Sequence, residues 1–273
     1  MRYDAGSHEF APLVPGISAL QADFSRDGQR IAFVAHDGSL WQSGADGTGR
    51  TPVSYPPFTA AQPRWSPDGS SLAYVGRHPG ELDAVYLSQG AASPRRISLG
   101  AEHDSKDPDW SADGEQLVFA DTSYPSLKAT INIVDLKDGS IRALSSAEPV
   151  RSPRWSPDGR SISALSTDLK RLLVYDVSSK SWKQVASFRM GYPNWSHDGR
   201  YLYVVNLSSK PVVCRVRLSD SSVEQVVDMS QQPLYWTGDA WLGLTPDDAP
   251  LLSRDLSLRQ ILGVRLETSA ATR

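Results

Sequence analysis

The chain has 273 residues with 28 basic and 31 acidic side chains, a formal net charge of −3, and one cysteine. Its basic residues are scattered, which excludes the clustered positive face of a nucleic-acid binder, and no apolar run approaches the roughly 18 residues of a spanning helix. Cys214 allows no internal disulfide and reads as a small core residue of a strand in a reducing compartment.

Residues 1–20 contain Asp4 and Glu9 and lack the apolar centre of a secretory signal. The expected compartment is therefore the cytoplasm, or the periplasm if the chain is a segment of a longer membrane-anchored protein.

In chain order, the first predicted element is an orphan strand, Glu9 to Val14. It is followed by the corner Phe24-Ser25-Arg26-Asp27-Gly28 and strands over 30–35 and 40–44. The corner Trp65-Ser66-Pro67-Asp68-Gly69 then leads into strands over 71–76, 84–88 and 95–98. Trp110-Ser111-Ala112-Asp113-Gly114 leads into 116–121, 131–136 and 141–145, and Trp155-Ser156-Pro157-Asp158-Gly159 into 161–166, 172–177 and 182–186. Trp195-Ser196-His197-Asp198-Gly199 precedes strands over 201–206, 212–218 and 223–228. A worn copy, Leu244-Thr245-Pro246-Asp247-Asp248, precedes 249–253 and 260–266. These runs are rich in β-branched and aromatic residues, and no window sustains a 3.6-residue period, so helix is expected to be nearly absent.

The corner aspartates 27, 68, 113, 158, 198 and 247 are 41, 45, 45, 40 and 49 residues apart, the length of a four-stranded propeller blade. Ser-x-Asp-Gly fits a type I turn closing on a left-handed residue, which Gly adopts freely and which Asp248 tolerates in the worn copy. Each corner aspartate is thus expected to brace its own turn rather than to act chemically. The fold class read from this pattern is all-β, a six-bladed β-propeller of four-stranded antiparallel blades. Residues 1–267 form a single propeller and 268–273 a short tail, with Glu9 to Val14 supplying the outer strand that closes the last blade.

The units Pro63 to Tyr74, Pro108 to Phe119, Pro153 to Ala164 and Pro193 to Tyr203 resemble the repeats of TolB-like, WD-related β-propellers over nearly the whole chain. The closing run 243–255 is similar to the end of propellers in large bacterial regulators that carry a winged-helix DNA-binding domain or a protein kinase domain upstream. The chain shows no such domain and no small α/β domain before the propeller. DNA binding, kinase activity and the partners of TolB are therefore not carried over.

Motifs for catalysis are lacking. His8, His36, His78, His103 and His197 fall on separate units, and no nucleophile elbow, phosphate loop or calcium-loop pattern occurs. No cofactor and no metal site is expected, and the chain is read as a non-enzyme and a monomer.

Trp65, Trp110, Trp155 and Trp195 are expected to pack between blades, while Trp236 and Trp241 stand outside the repeat. Just before the repeat aromatic stand Asp23, Arg64, Asp109, Arg154 and Asn194. Around a propeller axis these would form a ring of alternating charge. Three readings are open: mutual pairing, a polar site for an ion or small ligand, or side chains lying between blades.

The corner end carries short polar links. The opposite end, where chain links enter the inner strands, carries Tyr55, Phe58, His103, Lys106, Arg151, Arg189, Met190, Tyr192, Tyr235 and Trp236, types enriched at interfaces, beside longer loops over 77–83 and 121–130. The expectation is a scaffold that binds a protein or peptide partner on that face, without nucleic-acid contact and without a membrane span. The alternative is a channel-centred enzyme such as a propeller-type polysaccharide lyase or hydrolase.

Overall fold

The structure, a computed structural model, describes residues 1–7, 9–14, 17–90, 93–123, 128–230 and 241–253. Among the described residues there is no helix, and hence none long and apolar enough to cross a membrane. The described residues form twenty-four strands in six four-stranded antiparallel sheets. In blade three the order from the axis outward is His103–Trp110, Gln116–Ser123, Lys128–Asp135 and Ile141–Leu144. Blades one, two, four and five repeat this order with inner strands Gln21–Phe24, Thr59–Trp65, Val150–Trp155 and Met190–Trp195.

The corners form because each side chain in the motif satisfies another part of it. In the Trp155 corner Gly159 N donates to Ser156 O at 2.9 Å, and Ser156 Oγ donates to Asp158 Oδ1 at 2.6 Å while accepting Ser161 N at 2.9 Å. Asp158 Oδ1 also accepts Arg160 N at 3.0 Å. The same set recurs at the other Ser-x-Asp-Gly corners, with Gly28, Gly69, Gly114, Gly159 and Gly199 at φ between 66° and 75°, and Asp248 at 62° in the worn copy.

The core lies between blades rather than inside them, because a strand buried on both faces sends alternate residues to opposite neighbours. Val118 packs with Ile162, Ala164 and Trp155 of blade four. Leu117 and Phe119, on the other face of the same strand, pack with Ala73 and Val85 of blade two. Trp65, Trp110 and Trp155 are buried in this layer. Trp110 Nε1 donates to Arg64 O at 3.0 Å and Trp195 Nε1 to Arg154 O at 2.9 Å, each one blade back.

Closure departs from the sequence reading in one strand. Blade six runs Leu242–Leu244, Pro250–Leu252, Arg2–Asp4, Glu9–Ala11 from the axis outward. The orphan strand is the outer strand, ending at Ala11, while Val14 joins the blade-one core. The third strand is Arg2–Asp4, Arg2 pairing with Leu251, in the place the sequence reading gave to residues 260–266. Those residues, and the tail 268–273, lie outside the described residues.

The loop expected over 121–130 is also shorter than its sequence suggests. Strand pairing continues out to Ser123↔Lys128.

Candidate functional site

The inner strands of blades two to five share a distortion that positions the channel residues. Lys106 pairs with Ala120 and Asp109 with Val118, so Asp107 and Pro108 together face Phe119 alone. The same two-against-one bulge sits at 62–63, 152–153 and 192–193. Each has a proline in second place, which has no N–H to give a ladder and is tolerated in sheets mainly at edges and bulges. The residue before each proline takes a left-handed backbone: Gln62 at φ 52°, Asp107 at 56°, Ser152 at 52° and Tyr192 at 52°. Held strain of this kind gathers at functional places. Blade one, with Ala22 instead of proline, pairs Gln21 to Phe24 without a bulge.

At the corner end the five ring residues line one cavity of about 180 Å³ together with Trp155, Trp195 and His197. Arg64 Nη1 lies 3.2 Å from Asp23 Oδ1, and its Nη2 donates to Asn194 Oδ1 at 3.2 Å. Blade five is three positions from blade two in a ring of six, so Arg64 spans the axis. Its Nε is 4.0 Å from Asp109 Oδ1.

Arg154 does not complete the alternating pairs. Its guanidinium turns to Asp107, Nη2 to Oδ1 at 3.3 Å and Nη1 to the carbonyl at 3.4 Å. The carboxylates instead fasten neighbouring backbones: Asp23 Oδ2 accepts Trp65 N at 2.8 Å and Asp109 Oδ2 accepts Trp155 N at 2.7 Å. Burial pushes both carboxyls up from the ordinary carboxylate value, against the pull of Arg64.

Beside this cavity, His197 Nδ1 lies 2.6 Å from Asp248 Oδ1, joining blades five and six, and that hydrogen bond raises the imidazole pKa. The corner end is therefore less plain than its short links suggest. It also carries a cleft of about 420 Å³ between blades five and six, where Tyr201 has Arg215 stacked 4.5 Å from its ring centroid.

At the opposite, linker end a second cavity of about 240 Å³ spans blades two to five, and its walls include Gln62, Lys106, Asp107, Arg151, Ser152 and Tyr192. No residue lines both channel cavities. Between them lies a hydrogen-bonded layer. Gln62 Nε2 donates to Asp107 Oδ1 at 2.9 Å, Asp107 N donates to Gln62 Oε1 at 2.8 Å, and Ser152 Oγ donates to Asp107 Oδ2 at 3.0 Å. The described part of the channel thus carries a cup at each end.

Of the residues singled out for partner binding, Lys106, Arg151 and Tyr192 meet in the linker-end cup. Lys106 Nζ is held by Asp104 at 2.8 Å and Asp83 at 3.3 Å. Arg151 is half-buried, and its guanidinium has no ion pair or hydrogen bond among the described residues.

His103 lies outside the cup. Its Nδ1 is 2.6 Å from Asp121, whose other oxygen accepts Ser105 Oγ at 2.8 Å. Tyr55 is 64 % exposed and Arg189 is exposed. Phe58 packs edge-on to Tyr74 and Tyr86. Met190 is a correction: it is fully buried in the core between blades four and five and presents nothing to a partner. Tyr235 and Trp236 lie outside the described residues.

Gln62, Asp107 and Ser152 were missed by sequence reasoning. The proline two residues before each repeat tryptophan is the signal that marks them.

No protein-family model matches the sequence, and no curated protein matches it. Solved structures do share its fold. A candidate TolB from Agrobacterium tumefaciens superposes with a TM-score of 0.67 at 19% identity over 84% of this chain and 86% of that one. TolB from Acinetobacter baumannii gives 0.64 at 19% identity over 82% of this chain, which spans 64% of that protein. An oligogalacturonate lyase in complex with manganese gives 0.61 at 15% identity over 85% and 84% of the two chains. The fold is that of the TolB-like six-bladed propellers. Among the described residues no group of three or more His, Cys, Asp or Glu side chains is arranged to hold a metal ion.

Proposed function

We propose that this propeller is a non-catalytic interaction module that holds a protein or peptide on its linker-end face. The observation that carries this reading is the linker-end cup, where Arg151, beside Lys106 and Tyr192, has no partner among the described residues. A half-buried cation with unused donors is out of place in a purely structural layer, since buried charges are otherwise paired. Its surroundings agree, because exposed Tyr55 and Arg189 supply the side-chain types that dominate interface energetics. Fold likeness to TolB proteins supports a rigid display ring and identifies no partner.

The test uses the tagged full chain in three forms: unaltered, with Arg151→Ala, Arg189→Ala and Tyr192→Ala together, and with Lys137→Glu and Lys180→Glu together. A partner captured from the native cell should be lost by the triple variant and kept by the charge reversals, with both variants melting as the parent does. The opposite pattern would move the binding face to the corner end.

A second reading, a channel-centred lyase or hydrolase, is supported by the lyase among the fold neighbours. Incubation with oligogalacturonate, followed by ultraviolet absorbance for an unsaturated product, tests it directly. Turnover that survives in a Lys106→Gln, Arg151→Ala double variant would place any such chemistry outside the linker-end cup.

A further inference from the structure

We infer that the linker-end cup receives a carboxylate, bound in fork fashion by the guanidinium of Arg151. This inference deepens the interaction reading and rests on the same cup.

Two of the three charged side chains that line the cup already have partners. Asp107, the acid in its wall, is neutralised by Arg154 at 3.3 Å and filled by hydrogen bonds from Gln62 and Ser152. Burial works to lower the Lys106 pKa, but the hydrogen bonds and charges of Asp104 and Asp83 together raise it, so Lys106 is a protonated cation balanced by those two acids. Arg151 is the remaining charge among the lining residues, and none of its five guanidinium donors has a partner among the described residues. A planar guanidinium binds a carboxylate through two parallel hydrogen bonds, and it is more weakly hydrated than an ammonium, so it suits a half-buried position.

The rest of the wall fits the remainder of such a ligand. Leu165, Leu169 and Gly191 form an apolar side for a short aliphatic stem. A volume of about 240 Å³ admits an acidic side chain, a chain-terminal residue or a small dicarboxylic acid, and excludes a folded domain. The backbone that aims the cup is fixed by the strained bulges at Asp107, Ser152 and Tyr192. A site on rigid strand ends has little ordering left to do when it binds.

The test is a titration of the isotope-labelled full chain, watching the Arg151 Nε–H signal and the Ser152 and Tyr192 backbone amides. Four probes are used: succinate, the blocked peptide acetyl-Gly-Gly-Asp-Gly-Gly-amide, the free-acid peptide acetyl-Gly-Gly-Gly-Gly, and the Asn form of the blocked peptide. Saturable shifts of those three signals with at least one carboxylate probe, and none with the Asn peptide, are expected.

Arg151→Ala should weaken that binding about tenfold or more, as loss of a charge-assisted pair does. Arg151→Lys, which keeps the charge and loses the fork, should weaken it to a smaller degree. A variant that failed to melt like the parent would be replaced by Arg151→Gln.

Peptide binding without succinate binding assigns the carboxylate to a partner chain. Succinate binding alone supports the cup as a site for a free acid and removes the peptide-partner reading instead. No saturable shift with any carboxylate, equal binding by Arg151→Ala, or equal binding of the Asn peptide would overturn the inference.

Discussion

The two mouths of the channel are built from the same strands and differ in how their charges are used. At the corner mouth Arg64 is engaged by Asp23 and Asn194 across the axis, and Asp23 and Asp109 each fasten the backbone of the next blade. At the linker mouth Arg151 has no partner among the described residues. The difference teaches that charge in a propeller channel serves two separate ends. Paired charge ties neighbouring blades together, and unpaired charge is available to something outside the chain.

Four changes would break or sharpen that contrast. The largest effect should come from Arg154→Ala, which leaves Asp107 charged and buried without its ion pair. A loss of about 3–5 kcal/mol is expected in urea unfolding, and a loss under about 1 kcal/mol would show that the layer between the cups is not held by charge.

Arg64→Ala should cost about 2 kcal/mol by stripping Asp23 and Asn194 of a donor. Adding Asp23→Asn should recover part of that loss, and strict additivity in this double-mutant cycle would mean the two do not couple.

A smaller effect concerns the seam between blades five and six. The imidazole pKa of His197 is raised above 6.5 by its hydrogen bond to Asp248, so the stability it contributes is fully present below about pH 6.5 and is lost as pH rises through the folded-state value. With nearly half the side chain in solvent, the contribution is screened to under about 1 kcal/mol. Melting curves of His197→Gln should fall below the parent at pH 5.5 and meet it at pH 8.5, pH values chosen about a unit or more either side of the ordinary imidazole value. A constant gap would assign the effect to packing.

The smallest stability change should belong to Arg151→Ala, within about 0.5 kcal/mol of the parent. A loss comparable to that of Arg154→Ala would erase the distinction between the mouths.

Much of this was legible in the sequence because the strictest local demands leave the plainest marks. A left-handed turn residue forces Gly159, and a serine that must cap its own corner forces Ser156, so the blades could be counted from their corners. The ring residues were also placed correctly on the inner strands. Their partners were not, because one extra residue in each bulge changes which neighbour a side chain meets, so Arg154 finds Asp107 and not Asp109. That shift is set by the backbone at Pro153, and alternation of residue types does not record it. Arg2–Asp4 escaped notice for a different reason. Three residues are too few to show a period, and their strand character comes from Leu251 at the far end of the chain.

That pairing has a consequence for how the molecule is made. Residues 2–11 are synthesised before the other strands of the ring, yet their partner strand Pro250–Leu252 is among the last described residues to be made. At roughly 5–20 residues per second, they wait on the order of 10–50 s with no sheet to join. Through that interval Arg2, Asp4 and Glu9 keep three charges on the waiting segment. Charged residues on an unpaired strand discourage it from joining a stranger, so the ends that finally close the ring are also suited to staying single until then.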